Sequence, residues 1–196
     1  MNCLIETVYK YFIFIISMVD SKINRLMKMG FRKIIIDRKL KKRYLLDIGC
    51  GGKGDGIVNI DLFQGKTPHT SQQYIESRKI TNFVNADAHK LPFRDSVFFY
   101  TKCSHVLEHL EKPIEAIKEM KRVSKGVSVV YVPSNLNKDR TKTHLYSWTN
   151  WTLNNFMKRI FNNVKVILTP YEIIAIGSHA RLHKSESIVI KMKEKV

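Results

Sequence analysis

Apolar residues recur in short segments along the middle and the end of this chain, and one of these segments has the two-residue period of a strand. Val58, Ile60 and Leu62 alternate with polar residues, which is the pattern of a strand with one buried face. Other segments are short apolar runs, which fit strands that are buried on both faces. The predicted strands span residues 44–48, 58–62, 97–100, 126–133, 164–168 and 187–192.

A period of three to four residues marks two helices between these strands. The first helix covers 113–124, has apolar residues along one face, and contains Pro113 in its first turn, where the missing N–H costs nothing. The second helix covers 148–161. Strands that alternate with helices are typical of an α/β protein with a largely parallel sheet.

Residues 1–30 also carry apolar positions at helical spacing, which predicts a helix before the first strand. The apolar stretch of this helix, 11–19, is far shorter than the roughly twenty residues that cross a bilayer, so no transmembrane span is expected. A removed signal peptide is an alternative that fits the rest of the chain less well. Basic residues follow, so the segment 1–43 is interpreted as a helical basic extension. It either docks on the rest of the chain as a lid or makes peripheral contact with an anionic membrane.

Glycines follow the first predicted strand, where the chain must turn sharply. Gly49 and Gly51 let a ligand approach the backbone without a Cβ in the way. Asp61 ends the second strand, where its carboxylate can accept hydrogen bonds from both hydroxyls of a ribose. Only thirteen residues separate Asp47 from Asp61, too few for a full crossover helix, so a turn is expected instead. In a dinucleotide site, by contrast, G-x-G-x-x-G opens a long helix and the acid follows about twenty residues later.

Three segments in this order carry a family resemblance. Residues 47–51 read D-x-G-x-G, residues 83–93 read FVNADAHKLPF, and residues 103–110 read CSHVLEHL. Together they resemble the class I S-adenosylmethionine-dependent methyltransferases, and in particular the small enzymes of the type 11 subgroup. The resemblance extends over about 44–132 and is loose elsewhere.

This resemblance implies a fold, a cofactor and a set of contacts. The fold is an α/β, Rossmann-like sheet, mostly parallel with its last strand antiparallel, here with a shortened first crossover, and it would occupy 44–196. The cofactor is S-adenosyl-L-methionine, and Asp47 would reach its methionine moiety, Asp87 its adenine amino group and Ala88 a ring nitrogen. The complete set of implied cofactor contacts is Asp47, Gly49, Cys50, Gly51, Asp61, Leu62, Asp87, Ala88 and Cys103.

The acceptor side has its own candidates. His109 is the candidate general base, since a neutral imidazole accepts a proton at physiological pH, and a structural role at a helix start is the alternative. His144, Tyr146 and Trp148 lie where relatives in this family place acceptor-binding residues, with packing in the core as the alternative.

Residues 105–109 also read H-x-x-E-H, a zinc-protease pattern in which two histidines bind the metal and the glutamate is the base. The segment follows a predicted strand rather than lying inside a helix, and no distant third ligand stands out. No metal is therefore expected.

Charge adds information about partners. The chain has 34 Lys and Arg against 17 Asp and Glu, a formal net charge of +17, which favours encounter with RNA or another anionic acceptor such as an acidic glycan or a lipid-linked precursor. A basic surface that is only solvated is the alternative. The three cysteines are far apart and form no C-x-x-C, so a reducing compartment, the cytoplasm, is expected.

The sequence therefore predicts an S-adenosylmethionine-dependent methyltransferase that transfers a methyl group to an unidentified acceptor by direct displacement. The alternative is a catalytically inactive relative that keeps the cofactor fold and binds nucleic acid or another polyanion.

Overall fold

The structure is a computed structural model, and it describes residues 45–63, 65–67, 70–75, 80–135 and 141–179. The predicted helical extension, 1–43, and the predicted strand 187–192 lie outside the described residues.

Seven strands form one sheet, in the spatial order β5-β2-β1-β6-β7-β9-β8. A separate hairpin, β3–β4, lies in the connection between β2 and β5. The strands are β1 (Leu45–Ile48), β2 (Val58–Asp61), β3 (Gly65–Thr67), β4 (Thr70–Ile75), β5 (Phe83–Asn85), β6 (Phe98–Ser104), β7 (Ser124–Pro133), β8 (Asn163–Leu168) and β9 (Glu172–Ser178).

The direction of the strands confirms the predicted fold class. β5, β2, β1, β6 and β7 are parallel to one another, whereas β9 is antiparallel to both β7 and β8. The carboxyl ends of the parallel strands therefore meet at one edge of the sheet, the edge at which ligands bind in open α/β folds.

The first crossover is short, as predicted, because residues 49–57 connect β1 to β2 without a helix. The buried side chain of Asn59 hydrogen-bonds to the backbone of this connection and to that of the loop before β5. Its Oδ1 accepts from the Gly56 N–H at 2.8 Å, and its Nδ2 donates to the Thr81 carbonyl at 2.7 Å and to the Gly56 carbonyl at 3.1 Å. A side chain that satisfies the backbone of a tight loop replaces the hydrogen bonds that a helix would have supplied.

Two helices cover one face of the sheet. Helix α1 (Pro113–Val123) begins with a proline at its first position, and helix α2 (Asn150–Lys158) is capped by a reciprocal pair of hydrogen bonds between Thr149 and Thr152. Their apolar faces pack on the same side of the central strands and form the main core. The buried helix residues are Pro113, Ala116, Ile117, Met120 and Val123 in α1, and Leu153 and Met157 in α2.

Two connections differ from the sequence-based expectation. The segment 64–79 contains the hairpin β3–β4, which the sequence pattern does not predict. The closing strand was expected only at 187–192, but β9 already fills the position between β7 and β8. Its apolar residues, IIAI, are buried on both faces, and such a run has no period that distinguishes it from other buried segments.

No helix within the described ranges is long and apolar enough to cross a membrane.

Candidate functional site

A cavity of about 920 Å³ opens at the carboxyl edge of the sheet. Its wall has two parts, which we call the glycine side and the turn side. The glycine side comes from the ends of β1, β2 and β5 and includes Gly49, Gly51, Asp61, Leu62, Asp87 and Ala88. The turn side follows β6 and includes His105, Val106, His109, Glu111, Lys112 and Glu115.

The glycine side is shaped by two residues in the left-handed region, Gly49 with φ +67° and Gly51 with φ +55°. A Cβ at Gly49 would collide with Cγ2 of Val106, whereas a Cβ at Gly51 would meet nothing within 4 Å. Gly49 is therefore required for close packing of the turn against the residue after β6. Gly51 leaves open space where a ligand can approach the backbone.

Asp61 ties this turn to the end of β2. Its Oδ2 accepts a hydrogen bond from the Gly51 N–H at 3.0 Å, and its Oδ1 accepts from the Phe63 N–H at 3.1 Å. A carboxylate offers about four acceptor positions, so the two oxygens retain capacity for the hydroxyls of a ligand. The next residue, Leu62, is 51% exposed at the same edge of the cavity and offers an apolar surface there.

Asp87 and Ala88 follow β5 on the same wall. Oδ1 of Asp87 accepts from the His89 N–H at 2.8 Å and lies 2.7 Å from His89 Nδ1. Partial burial raises the pKa of Asp87, but the two contacts with His89 outweigh it and leave the pKa below its ordinary value. The side chain is therefore an ionised acceptor at neutral pH.

On the turn side, His105 adopts φ +55° directly after β6 and lies between two carboxylates. Its Nε2 is 2.8 Å from Glu172 Oε1, and its Nδ1 is 3.4 Å from Glu108 Oε1. Burial alone would lower the pKa of His105, but the two glutamates raise it to about 9. The imidazole therefore carries a positive charge at neutral pH.

His109 ends a single 3-10 turn, Leu107–His109. Its Nδ1 is 3.1 Å from the carbonyl oxygen of Thr143, so a second loop contacts the turn. The ring of His144 packs edge-on against that of His109, with ring centroids 4.6 Å apart.

Comparison with known proteins gives the family of this site. The family described as "Methyltransferase domain", of the type 11 kind, matches residues 46–132, which contain β2 to β6, α1 and most of β1 and β7. Residues 46–132 match a methyltransferase domain. The family that the sequence predicted is thus confirmed.

Individual relatives are distant. Ajmaline N-methyltransferase of Rauvolfia serpentina is 28% identical over 117 residues, which is 53% of this chain and 40% of that protein. The chain spans about two fifths of the length of this curated relative.

Two solved structures share the fold of the methyltransferase domain. An S-adenosylmethionine-dependent methyltransferase from Archaeoglobus fulgidus is 19% identical, covers 86% of this chain and 99% of its own, and has a TM-score of 0.56. Magnesium protoporphyrin IX methyltransferase from Synechocystis PCC 6803, solved with S-adenosylhomocysteine bound, is 14% identical, covers 79% of this chain and 83% of its own, and has a TM-score of 0.53.

Asp47 of the methyltransferase domain is not part of the cavity wall. Its carboxylate is 1% exposed, and its Oδ2 accepts from the Asp55 N–H at 2.9 Å and from Lys102 Nζ at 3.0 Å. Burial raises the pKa of Asp47, although Lys102 opposes this rise. In this structure the side chain of Asp47 links the shortened crossover to β6 through these two hydrogen bonds. A contact between Asp47 and the methionine moiety of the cofactor stays a prediction.

The two described cysteines are also away from the cavity wall. Cys50 packs with Ile80, and Cys103 lies in the main core of the methyltransferase domain. Burial raises the pKa of Cys50 to about 12 and raises that of Cys103 as well, so both thiols are neutral at physiological pH. Any contact between them and a cofactor stays a prediction.

The predicted acceptor residues divide in a similar way. His109 lies on the cavity wall, whereas His144, Tyr146 and Trp148 do not. Tyr146 stacks on Trp148 with ring centroids 5.7 Å apart, and Trp148 is a core residue that is 5% exposed. The ring of His144 contacts that of His109, which lies on the cavity wall.

Three features of the methyltransferase site were missed from the sequence. Lys102 neutralises Asp47, His105 is a charged residue of the turn side, and Glu172 supports it from β9. The pairing register between β1 and β6 places Lys102 beside Asp47, and the antiparallel strand β9 places Glu172 beside His105. Neither arrangement leaves a local sequence signal.

Proposed function

We propose that this protein is an S-adenosylmethionine-dependent methyltransferase that binds its cofactor along the glycine side and its acceptor against the turn side. The observation that carries the proposal is the pair of left-handed glycines beside Asp61 on the wall of a cavity of about 920 Å³. The volume suits a ligand of nucleoside size with a second molecule beside it.

The residues of the glycine side fit this cofactor. The open space at Gly51 admits a ligand to the backbone, and the carboxylate of Asp61 can accept from ribose hydroxyls. Asp87 is an ionised acceptor suited to an exocyclic amine, and the backbone of Ala88 adjoins it. Asp47 would act indirectly, by keeping the crossover in place.

The cofactor supplies a methyl group that its sulfonium already activates, so the chain needs no covalent intermediate. The task left to the turn side is to align the acceptor and to remove its proton where it has one. His109 is suited to the second role, because the Thr143 carbonyl fixes its Nδ1 as the donor in the neutral ring, and Nε2 then carries the lone pair.

We propose that the acceptor is anionic, with RNA as the first class to test. The net charge of +17 supports this proposal through long-range attraction. The turn side itself carries both signs, with His105 and Lys112 positive and Glu111 and Glu115 negative, so attraction to a polyanion comes from the rest of the chain. A cytoplasmic location, supported by the three widely spaced cysteines, and membrane contact through 1–43, supported by its basic residues, are further proposals.

Calorimetric titration with S-adenosylmethionine and S-adenosylhomocysteine tests the cofactor site. We expect saturable binding that is lost in Asp61→Ala and kept in Asp95→Ala, a control whose carboxylate pairs with Arg122 away from the cavity. Transfer of a labelled methyl group from the cofactor to total RNA or to a small-molecule extract then identifies the acceptor class.

Failure of the protein to bind both S-adenosylmethionine and S-adenosylhomocysteine would contradict this proposal. Binding of RNA by that same preparation would then favour the alternative, an inactive relative that serves as a polyanion-binding module. The comparison is informative because fold alone does not determine activity.

A further inference from the structure

We propose that Glu108, His109 and His144 form a binding site for one divalent transition-metal ion at the turn side of the cavity. One donor atom from each of the three residues lies within 4.8 Å of the others. Two histidines and one glutamate are a common ligand set for such ions. This site goes beyond methyl transfer, and it departs from the sequence-based expectation that no metal is bound. Because it uses the Nε2 lone pair of His109, that residue cannot act as the general base while the ion is bound.

The strongest indication is the carboxylate of Glu108. The residue is 0% exposed, and neither of its oxygens has a hydrogen-bond partner within the described part of the chain. Its nearest cation is His105, whose Nδ1 lies 3.4 Å from Oε1 but whose other nitrogen contacts Glu172. A buried carboxylate is costly unless it is paired and hydrogen-bonded or coordinates a metal. Coordination of a metal would satisfy the oxygens that His105 leaves without a hydrogen bond.

The backbone brings the third ligand into place. The carbonyl oxygen of Glu108 accepts from the Leu145 N–H at 2.7 Å and from the Tyr146 N–H at 3.3 Å. The Tyr146 hydroxyl donates to the Glu111 carbonyl at 3.0 Å. These contacts seat the loop 141–146 against the 3-10 turn, so His144 lies beside His109 although the two are far apart in sequence.

The same loop supports the second ligand. His109 Nδ1 lies 3.1 Å from the Thr143 carbonyl oxygen, the residue next to His144. Metal-binding histidines almost always donate their other ring N–H to a carbonyl or a carboxylate, which fixes the tautomer and the ring orientation. The backbone around Thr143 thus both orients His109 and presents His144.

The ligand types select the class of ion. Imidazole nitrogens with one carboxylate suit Zn²⁺, Co²⁺, Mn²⁺ or Fe²⁺, whereas Mg²⁺ and Ca²⁺ prefer oxygen ligands. Three protein ligands leave at least one position of a tetrahedral ion open. Because His109 lies on the cavity wall, an open position there would accept a water or an oxygen or nitrogen atom of a second ligand.

The test uses the full-length chain, stripped of metal with a chelator and titrated with Co²⁺ and with Zn²⁺. We expect one ion per chain by calorimetry and visible absorption bands of cobalt with nitrogen and oxygen ligands. His144→Ala should weaken binding at least tenfold. His89→Ala is the matched control, since it removes a histidine that contacts Asp87 on the glycine side, and it should bind as the parent chain does.

Glu108→Gln provides a second variant that keeps the shape of the side chain and removes its charge. If Glu108→Gln does not fold, His144→Ala alone tests the metal site. That variant should fold, because His144 lies at a half-buried position of a loop. Equal binding of Co²⁺ by the parent chain and His144→Ala would overturn the site, and so would absence of binding to a folded parent chain.

Titration with S-adenosylhomocysteine on the same preparations separates this inference from the proposed function. A chain that binds this cofactor product but no metal contradicts only the metal site. A chain that binds metal but no cofactor contradicts only the methyltransferase proposal.

Discussion

Lys102 Nζ lies 3.0 Å from Oδ2 of Asp47, and this ion pair fastens β6 to β1 beneath the glycine turn. Asp47 is 1% exposed and the Lys102 side chain is 19% exposed, so water screens the pair only weakly. Lys102 also donates to Asp55 Oδ2 at 3.1 Å, so one ammonium group pairs with a carboxylate of β1 and with one of the shortened crossover.

Replacing Lys102 with methionine should therefore lower the free energy of unfolding by about 3 kcal/mol at pH 7, because it leaves a buried carboxylate without its cation. Urea denaturation measures this loss. Lys118→Met is the matched control, since Lys118 pairs with Glu115 on the exposed face of α1 and should cost less than about 0.5 kcal/mol. Equal losses in the two variants would contradict the structural role of Lys102.

The same variant has a defined pH dependence. Burial already raises the folded-state pKa of Asp47, and removal of Lys102 should raise it further. The folded state then binds more protons than the unfolded state, so the variant loses stability as pH rises between the two pKa values. We expect the deficit of Lys102→Met to shrink as pH falls from 7 towards 4. A deficit that is constant over this range would exclude charge as its cause.

Alanine at the two cavity glycines should have different effects. Gly49→Ala combines left-handed strain with a collision against Val106 and should cost about 3 kcal/mol of stability. Gly51→Ala has the same left-handed strain but open space around its Cβ, so it should cost about 1 kcal/mol of stability. Gly51→Ala should still weaken binding of S-adenosylhomocysteine, because its methyl group occupies the approach to the backbone. Thermal unfolding measures the stability of the two variants, and calorimetry measures their binding of S-adenosylhomocysteine.

Glu119 connects α1 to the loop that follows β5. It accepts from Arg122 Nε at 2.7 Å and from the Leu91 N–H at 2.8 Å, and Arg122 also donates to Asp95. The hydrogen bonds from Arg122 lower the pKa of Glu119 below its ordinary value, more than burial raises it. Its contribution to stability is therefore complete above the unfolded-state pKa and is lost as pH falls through the lower folded-state pKa.

Glu119→Gln should accordingly destabilise the fold by about 1 kcal/mol at pH 7, a value that allows for the partial exposure of the pair. The difference between the variant and the parent chain should shrink as pH falls below the ordinary carboxyl pKa of 4.5 and through the lower folded-state pKa of Glu119. Glu115→Gln, on the exposed face of the same helix, is the control and should change little at either pH. Chemical denaturation at pH 7 and at pH 3.5 provides the comparison.

The two described thiols should resist alkylation in the native chain. Cys50 and Cys103 are buried, and their raised pKa values keep them protonated, so neither forms the reactive thiolate at pH 8. Mass mapping after iodoacetamide treatment should find both modified only after denaturation. Rapid modification of Cys103 in the folded chain would show that the core around it opens.

The sequence predicted those parts of the site that neighbouring residues determine. Gly49, Gly51 and Asp61 lie within one turn and one short strand, so their spacing places them at one sheet edge. Asp87 and Ala88, by contrast, were implied by the resemblance to the methyltransferase family. The contact between His109 and His144 depends instead on how a distant loop pairs with the backbone of Glu108. No local pattern encodes that pairing.

The same distinction explains the errors in the fold. Helix α1 has a clear apolar face and a proline at its start, and its observed bounds lie within one residue of the prediction. Strand β9 is an apolar run without a distinguishing period, and its place between β7 and β8 is set by pairing on both sides. The burial of Asp47 likewise depends on the register that places Lys102 beside it.

The short crossover between β1 and β2 also affects the order in which the sheet can assemble. The residues 49–57 close this parallel pair, whereas the stretch from 49 to 97 must close before β1 pairs with β6. The entropic cost of closing a loop grows with the logarithm of its length. Pairing β1 with β2 therefore costs about 1.5 kcal/mol less than pairing β1 with β6. The edge that carries the glycine turn is thus of low contact order, and it can form while the neighbouring strand β6 is still distant.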